Sequence, residues 1–135
     1  MNDVLEMLAS TPDIRTLQGT QRRLISAMRM GVVATKRGRN SCCVMKQELG
    51  SAHAVAAFRT LVAEIGDAWP EPFSINPPCQ PRLSYDEMLL LDITTAAARG
   101  ERAHFDGMTC DMLSMGARNS VYRCAQRLMT VMMGA

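Results

Sequence analysis

From Ala54 to Ile65 the apolar residues Ala54, Val55, Phe58, Leu61, Val62 and Ile65 recur at i, i+3 and i+4. That spacing lines one face of a 3.6-residue helix and neither face of a strand, whose period is two. Gly50-Ser51 opens the segment and Gly66 closes it, so a helix is predicted over 51–66. No stretch of the chain alternates with period two for long enough to make a sheet. A stripe of this kind must be buried against other helices, and the expected fold class is all-α.

The remaining punctuation agrees. Val4, Leu5 and Leu8 suggest a short first helix. Ser10-Thr11-Pro12-Asp13 then offers an N-cap, a proline suited to the first helical position and an early acid. Gly19 and Thr20 interrupt or restart the turn. Beyond them Leu24, Ile25, Met28 and Val32 take helical spacing, with Arg22, Arg23 and Arg29 read onto the other faces and Gly38 as the stop. Asn40 or Ser41 can cap a short helix ending at Leu49. Ser84-Tyr85-Asp86-Glu87 is a complete capping box ahead of Met88, Leu89, Leu91 and Ala96, with Gly100 as the terminator. Phe105, Met108, Met112 and Met115 mark another helix, closed by Gly116. A last helix from Asn119-Ser120 carries Val121, Ala125, Leu128, Met129 and Met132.

Residues 67–83 differ in character, holding five of the six prolines. Proline removes a backbone donor and pushes its predecessor to extended geometry. Trp69, Phe73 and Ile75 make this segment apolar enough to be pinned down. The expectation is a single domain over 1–135: a compact bundle of five or six helices around helix 51–66, with an ordered Pro-rich extended crossover at 67–83. The basic N-terminal half (1–66) and the C-terminal helices (84–135) lie on either side. A hydrophobic fraction of 47% supports a real core, and with only six aromatic residues Leu, Ala, Val and Met must fill it. No run reaches the roughly 18 apolar residues of a spanning helix. Asp3 and Glu6 replace the basic start of a signal peptide, so no membrane association and a cytoplasmic location are expected.

Charge is unevenly distributed. Between Ile14 and Gln47 lie eight bases and no acid: Arg15, Arg22, Arg23, Arg29, Lys36, Arg37, Arg39 and Lys46. From Glu48 to Asp111 ten acids face four bases, and the whole chain is only +2. A block of one sign attracts an anionic partner: nucleic acid, an acidic protein surface, or the acidic half of the same chain. Arg22, Arg23, Arg29, Lys36, Arg37, Arg39 and Lys46 are therefore the polyanion-binding candidates. Helix 21–36, a glycine turn and helix 41–49 have helix-turn-helix proportions. Yet Arg37, Arg39 and Gln47 fall where such motifs want apolar packing, and base-reading side chains are few.

The segment Cys79-Gln-Pro-Arg-Leu-Ser-Tyr-Asp-Glu-Met-Leu-Leu-Leu resembles an uncharacterised family of small helical alphaproteobacterial proteins. In these a Pro-Cys-x-Pro-Arg turn leads into a capped, Leu-rich helix. Ala27-Met28-Arg29-Met30, Ala52-His53 and Leu61-Val62-Ala63-Glu64 are similar in spacing, and the likeness spans about 20–130. It implies a helical fold and a bacterial cytosolic setting. It brings no catalytic residue, because the family has no assigned activity.

Chemistry-bearing residues are sparse. Cys42 and Cys43 follow a helix start beside Arg39, and Cys79 sits among prolines near Arg82. These three are the thiol candidates, since a cation or helix N-terminus favours thiolate. Cys42, Cys43, His53, Cys79, His104, Asp106 and Cys110 lack the paired short spacings of a zinc site, so no metal or other cofactor is expected. Asp86-Glu87 is explained by capping. No phosphate loop or triad order occurs, and no catalytic residue is assigned. Met108, Met112, Met115, Met129, Met132 and Met133 are either core or an adaptable groove. The expected function is a non-enzymatic regulatory or adaptor-type domain that binds a protein partner, or a second copy, through Met- and Leu-rich helices. The alternatives are a nucleic-acid-binding regulator using the 14–47 block and a thiol or metal sensor.

Overall fold

The computed structural model describes residues 12–134. The helix expected at Val4–Leu8 and the Ser10-Thr11 cap lie outside them. Among the described residues there are six α-helices and no strand: α1 (Gly19–Lys36), α2 (Ser41–Leu49), α3 (Ala52–Ala68), α4 (Tyr85–Ala98), α5 (Arg102–Thr109) and α6 (Met115–Gly134). The all-α expectation holds. The chain groups into two compact units. The first joins the described residues up to Gly50 with Ser74–Leu90, and the second joins Ser51–Phe73 with the chain from Leu91 onward.

In the first unit a single 3₁₀ turn, Ile14–Thr16, precedes α1. Asp13 caps it through its side chain. Residues 12–14 lie antiparallel to 81–83, with Ile14 N donating to Pro81 O (2.7 Å) and Leu83 N to Pro12 O (3.1 Å). α1 begins at Gly19 with Gln18 as its cap, and buries Leu24, Ile25, Ala27, Met28, Arg29, Gly31 and Ala34. Gly38 takes a positive φ of 69° just past its end. Asn40 caps α2 by accepting from Cys42 N at 3.0 Å. α2 packs on α1 through Met45 and Leu49. The contact is close because position 31 is glycine: a Cβ there would stand 3.3 Å from the Met45 sulfur.

In the second unit Ser51 caps α3, which buries Ala54, Val55, Ala57, Phe58, Leu61 and Ile65 against α6. Val62 is 39% exposed, so the predicted stripe is narrower than read. α3 also runs past Gly66 to Ala68. The terminator is Pro70, which forces Trp69 into extended geometry (φ −67°, ψ 136°). Trp69 and Phe73 then meet edge to face at 5.4 Å. α5 stops at Thr109, and Met115 and Gly116 open α6 instead of closing α5. Ser114 Oγ accepts from Ala117 N at 3.2 Å and supplies the start that the sequence placed at Asn119-Ser120. α6 contributes Val121, Tyr122, Ala125, Leu128, Met129 and Met132 to the core.

The capping box is present in both directions. Glu87 N donates to Ser84 Oγ (3.0 Å), and Ser84 N donates to Glu87 Oε1 (2.8 Å). Ser84 Oγ donates in turn to Ser74 O at 2.7 Å, and Ser74 N to Asp86 Oδ2 at 2.6 Å. Residues 69–84 contain no helix, and their only regular pairing among the described residues is the short bridge at Arg82.

Candidate functional site

Three places gather chemistry. The first corrects the reading of the basic block. Arg29 is not a surface cation: its side chain is 1% exposed and Glu87 beside it is 0% exposed. Nε donates to Glu87 Oε2 at 2.8 Å and Nη2 to Oε1 at 2.9 Å, a bidentate fork. Nη1 donates to Gln80 O (2.6 Å) and Nη2 also to Arg82 O (3.0 Å). Four of the five guanidinium protons are thus engaged. This pair joins α1, the first turn of α4 and the proline-rich segment before it. Arg29 cannot reach a polyanion, and it leaves the candidate set.

The other bases divide further. Arg15 holds Asp13 at 2.7 Å, and that guanidinium together with the Arg15 backbone N–H depresses the Asp13 carboxyl to about 2. Arg22 Nη2 donates to Arg15 O at 2.6 Å. Arg23 donates to the carbonyls of Glu48 (3.1 Å) and Leu49, satisfying the C-terminal end of α2. A Cβ at Gly50 would stand 2.9 Å from Arg23 Nη2, so the left-handed glycine (φ 92°) also makes room for this cap. Lys36, Arg37, Arg39 and Lys46 are exposed and pair with no carboxylate among the described residues of their unit. Lys36, Arg37 and Arg39 flank the α1–α2 turn, and Lys46 lies in the last turn of α2.

The second place is a groove of about 540 Å³ in the second unit, where the end of α4 lies beside the last turns of α6. Ala97, Ala98 and Gly134 leave the space, Met129 and Met133 offer thioethers, and Gln126, Arg127 and Thr130 supply polar groups. Gln126 Nε2 donates to Ala97 O at 3.4 Å and ties the two helix ends together. Met133 is 65% exposed at the rim, whereas Met129 and Met132 are buried. The methionine run is therefore part core and part surface.

The third is a polar cluster on α5 and α6. Arg102 lies 4.9 Å from the Tyr122 ring centre, donates to Asp106 Oδ1 (3.0 Å) and to Asn119 Oδ1 (2.6 Å). Phe105 and Tyr122 meet edge to face at 5.0 Å. Arg118 Nη1 stands 3.8 Å from the same Asp106 oxygen. The cluster orders the α5–α6 corner by cation–π contact and ion pairing.

All five cysteines are free thiols, with Cys43, Cys79 and Cys110 exposed and Cys42 half-buried. Burial and the charge of Glu64 push the Cys124 thiol up, against opposing pulls from Arg127 and Arg123. Such a thiol is less nucleophilic at neutral pH. Among the described residues no three His, Cys, Asp or Glu side chains gather in a way that could hold a metal ion. No described helix is long and apolar enough to cross a membrane.

The groove residues Ala97, Ala98, Gln126, Arg127 and Thr130 escape sequence reading, because small and mixed polar residues leave no periodic signal. The Arg29–Glu87 pair did leave one. Arg29 follows Ile25 by four residues and precedes Val32 by three, which puts it on the apolar face. Comparison with protein-family models, with curated proteins and with solved structures found no match.

Proposed function

We propose that the chain is a non-enzymatic adaptor-type helical domain that binds a protein partner through the α4–α6 groove, in a bacterial cytoplasm. The observation that carries this reading is the groove itself: exposed Met133 and small Ala97, Ala98 and Gly134 beside one cation, Arg127. Thioethers adapt to varied apolar surfaces, and missing side chains let a partner helix approach closely. Arg127 would select a carboxylate on that helix. The fitting occupant is an amphipathic helix with large apolar residues on one face and an acid at its edge.

The test is a displayed library of amphipathic helices selected against the protein, with binding read on ¹³C-methyl methionine NMR. Selected helices are expected to be acidic, to shift the Met129 and Met133 methyls, and to bind Ala98→Glu at least about tenfold more weakly, since a charged side chain would fill the groove. Selected helices that shift only Met108 or Met115, and that ignore Ala98→Glu, would contradict the reading.

A further inference from the structure

The outer face of α2 belongs to a different surface and points to a different class of partner. Arg39, just before the cap, the cap Asn40, and Cys43, Lys46 and Gln47 are all exposed. The spacing of three and four from Asn40 through Gln47 places the last four on one side of the helix. Met45 and Leu49, on the opposite side, are buried, and Met45 meets α1 at Gly31. Immediately before this face, Lys36 and Arg37 are exposed at the end of α1. The unit that carries it holds nine bases against four acids among its described residues. Two of those acids are occupied by Arg15 and Arg29, Asp86 accepts from Ser74 N, and Glu48 is half-buried. The second unit holds six bases against seven acids, so the positive field comes from the first.

We infer that this face docks on duplex DNA, with Lys36, Arg37, Arg39 and Lys46 on phosphates and α2 presented to the major groove. The helix is about 13 Å long at 1.5 Å per residue, and the groove admits a helix of ordinary width. An acidic protein surface is the competing occupant. DNA is favoured because the face is cationic and polar throughout and carries no large apolar anchor of the kind protein interfaces centre on. Sequence preference is slight: the Asn40 carbonyl is committed to its cap, which leaves Gln47 as the one side chain with both amide groups available for base edges.

The experiment measures binding of a short mixed-sequence DNA duplex over a range of salt, together with alkylation of Cys43 by iodoacetamide. Four phosphate contacts give a slope of log K against log salt of about −3.6, a loss of about 150-fold between about 50 and 200 mM. We expect that slope, and slowed Cys43 alkylation when duplex saturates the protein. In the Lys36→Gln, Arg37→Gln, Arg39→Gln, Lys46→Gln variant, whose changes are all at exposed positions, both effects should be lost while the helical circular dichroism is retained. Arg99→Gln with Arg123→Gln, exposed cations of the second unit, should leave slope and protection intact. Three results would each overturn the inference: no binding at low salt, a slope indifferent to the fourfold variant, or tighter binding to polyglutamate than to the duplex. Loss of groove binding in Ala98→Glu has no bearing on these readouts, so the two surfaces fail separately.

Discussion

Arg29→Met removes one partner of a fully buried ion pair while keeping most of the side-chain volume. The carboxylate of Glu87 then stays at 0% exposure with Ser84 N as its remaining donor, the Gln80 carbonyl loses its donor, and the Arg82 carbonyl keeps only Asn76 Nδ2. Breaking a buried pair from one side costs roughly 3–5 kcal/mol, chiefly because the other charge is left desolvated. With a urea dependence of about 2 kcal/mol/M, the unfolding midpoint followed by far-ultraviolet circular dichroism should fall by about 2 M. Adding Glu87→Gln removes the stranded charge yet keeps an oxygen for Ser84 N. The double variant should therefore be more stable than Arg29→Met alone, with a coupling energy of roughly 1–3 kcal/mol. Added salt should change the cost little, because a pair without solvent contact is poorly screened. A cost of Arg29→Met under about 1 kcal/mol, or a double variant no better than the single, would show that the pair is neither buried nor coupled in solution.

Leu61→Ala should cost roughly 2–5 kcal/mol in the same denaturation assay, since the side chain is 0% exposed on α3. A cost below about 1 kcal/mol would place α3 outside the core. Ser84→Ala should cost roughly 0.5–2 kcal/mol through loss of the Glu87 N cap, and amide exchange at Glu87 should quicken. An unchanged exchange rate would remove Ser84 from that role. The Asp13 carboxyl should titrate at about 2 by carbon NMR, and Arg15→Ala should raise it toward the ordinary 3.8. Because its folded value is the lower one, Asp13 stabilises the fold above the unfolded value and loses that contribution as pH falls between these limits. A midpoint near 3.8 in the intact protein would contradict the Arg15 contact.

Local signals in the sequence were legible wherever one short segment determines the outcome. The Ser84–Glu87 box, the Asn40 and Ser51 caps and the 54–65 stripe are each decided within one turn or one face, and each is found, the stripe without Val62. Gly66 and Gly116 misled because glycine permits a helix end without imposing one. At 66 the helix continued until Pro70 imposed a stop, and at 116 the Ser114 cap had already begun α6. The basic block misled for another reason. Composition counts eight charges alike, but the register of Arg29 with Ile25 and Val32 turns it inward to Glu87, 58 residues away. That pairing is a tertiary fact, although both faces were written in the pattern. The groove was invisible, since Ala97, Ala98 and Gly134 matter there for the volume they leave empty.

The eight-cation block is two things: structural cations turned inward or onto backbone carbonyls and a carboxylate, and an exposed set running from the α1–α2 turn along α2. Arginine-selective modification with phenylglyoxal, quantified site by site by mass spectrometry on the folded protein, separates the two sets. Arg37 and Arg39 should react fast, Arg22 and Arg23 more slowly, and Arg29 only after denaturant unfolds the chain. Modification of native Arg29 at the rate of Arg37 would contradict the division and return it to the surface.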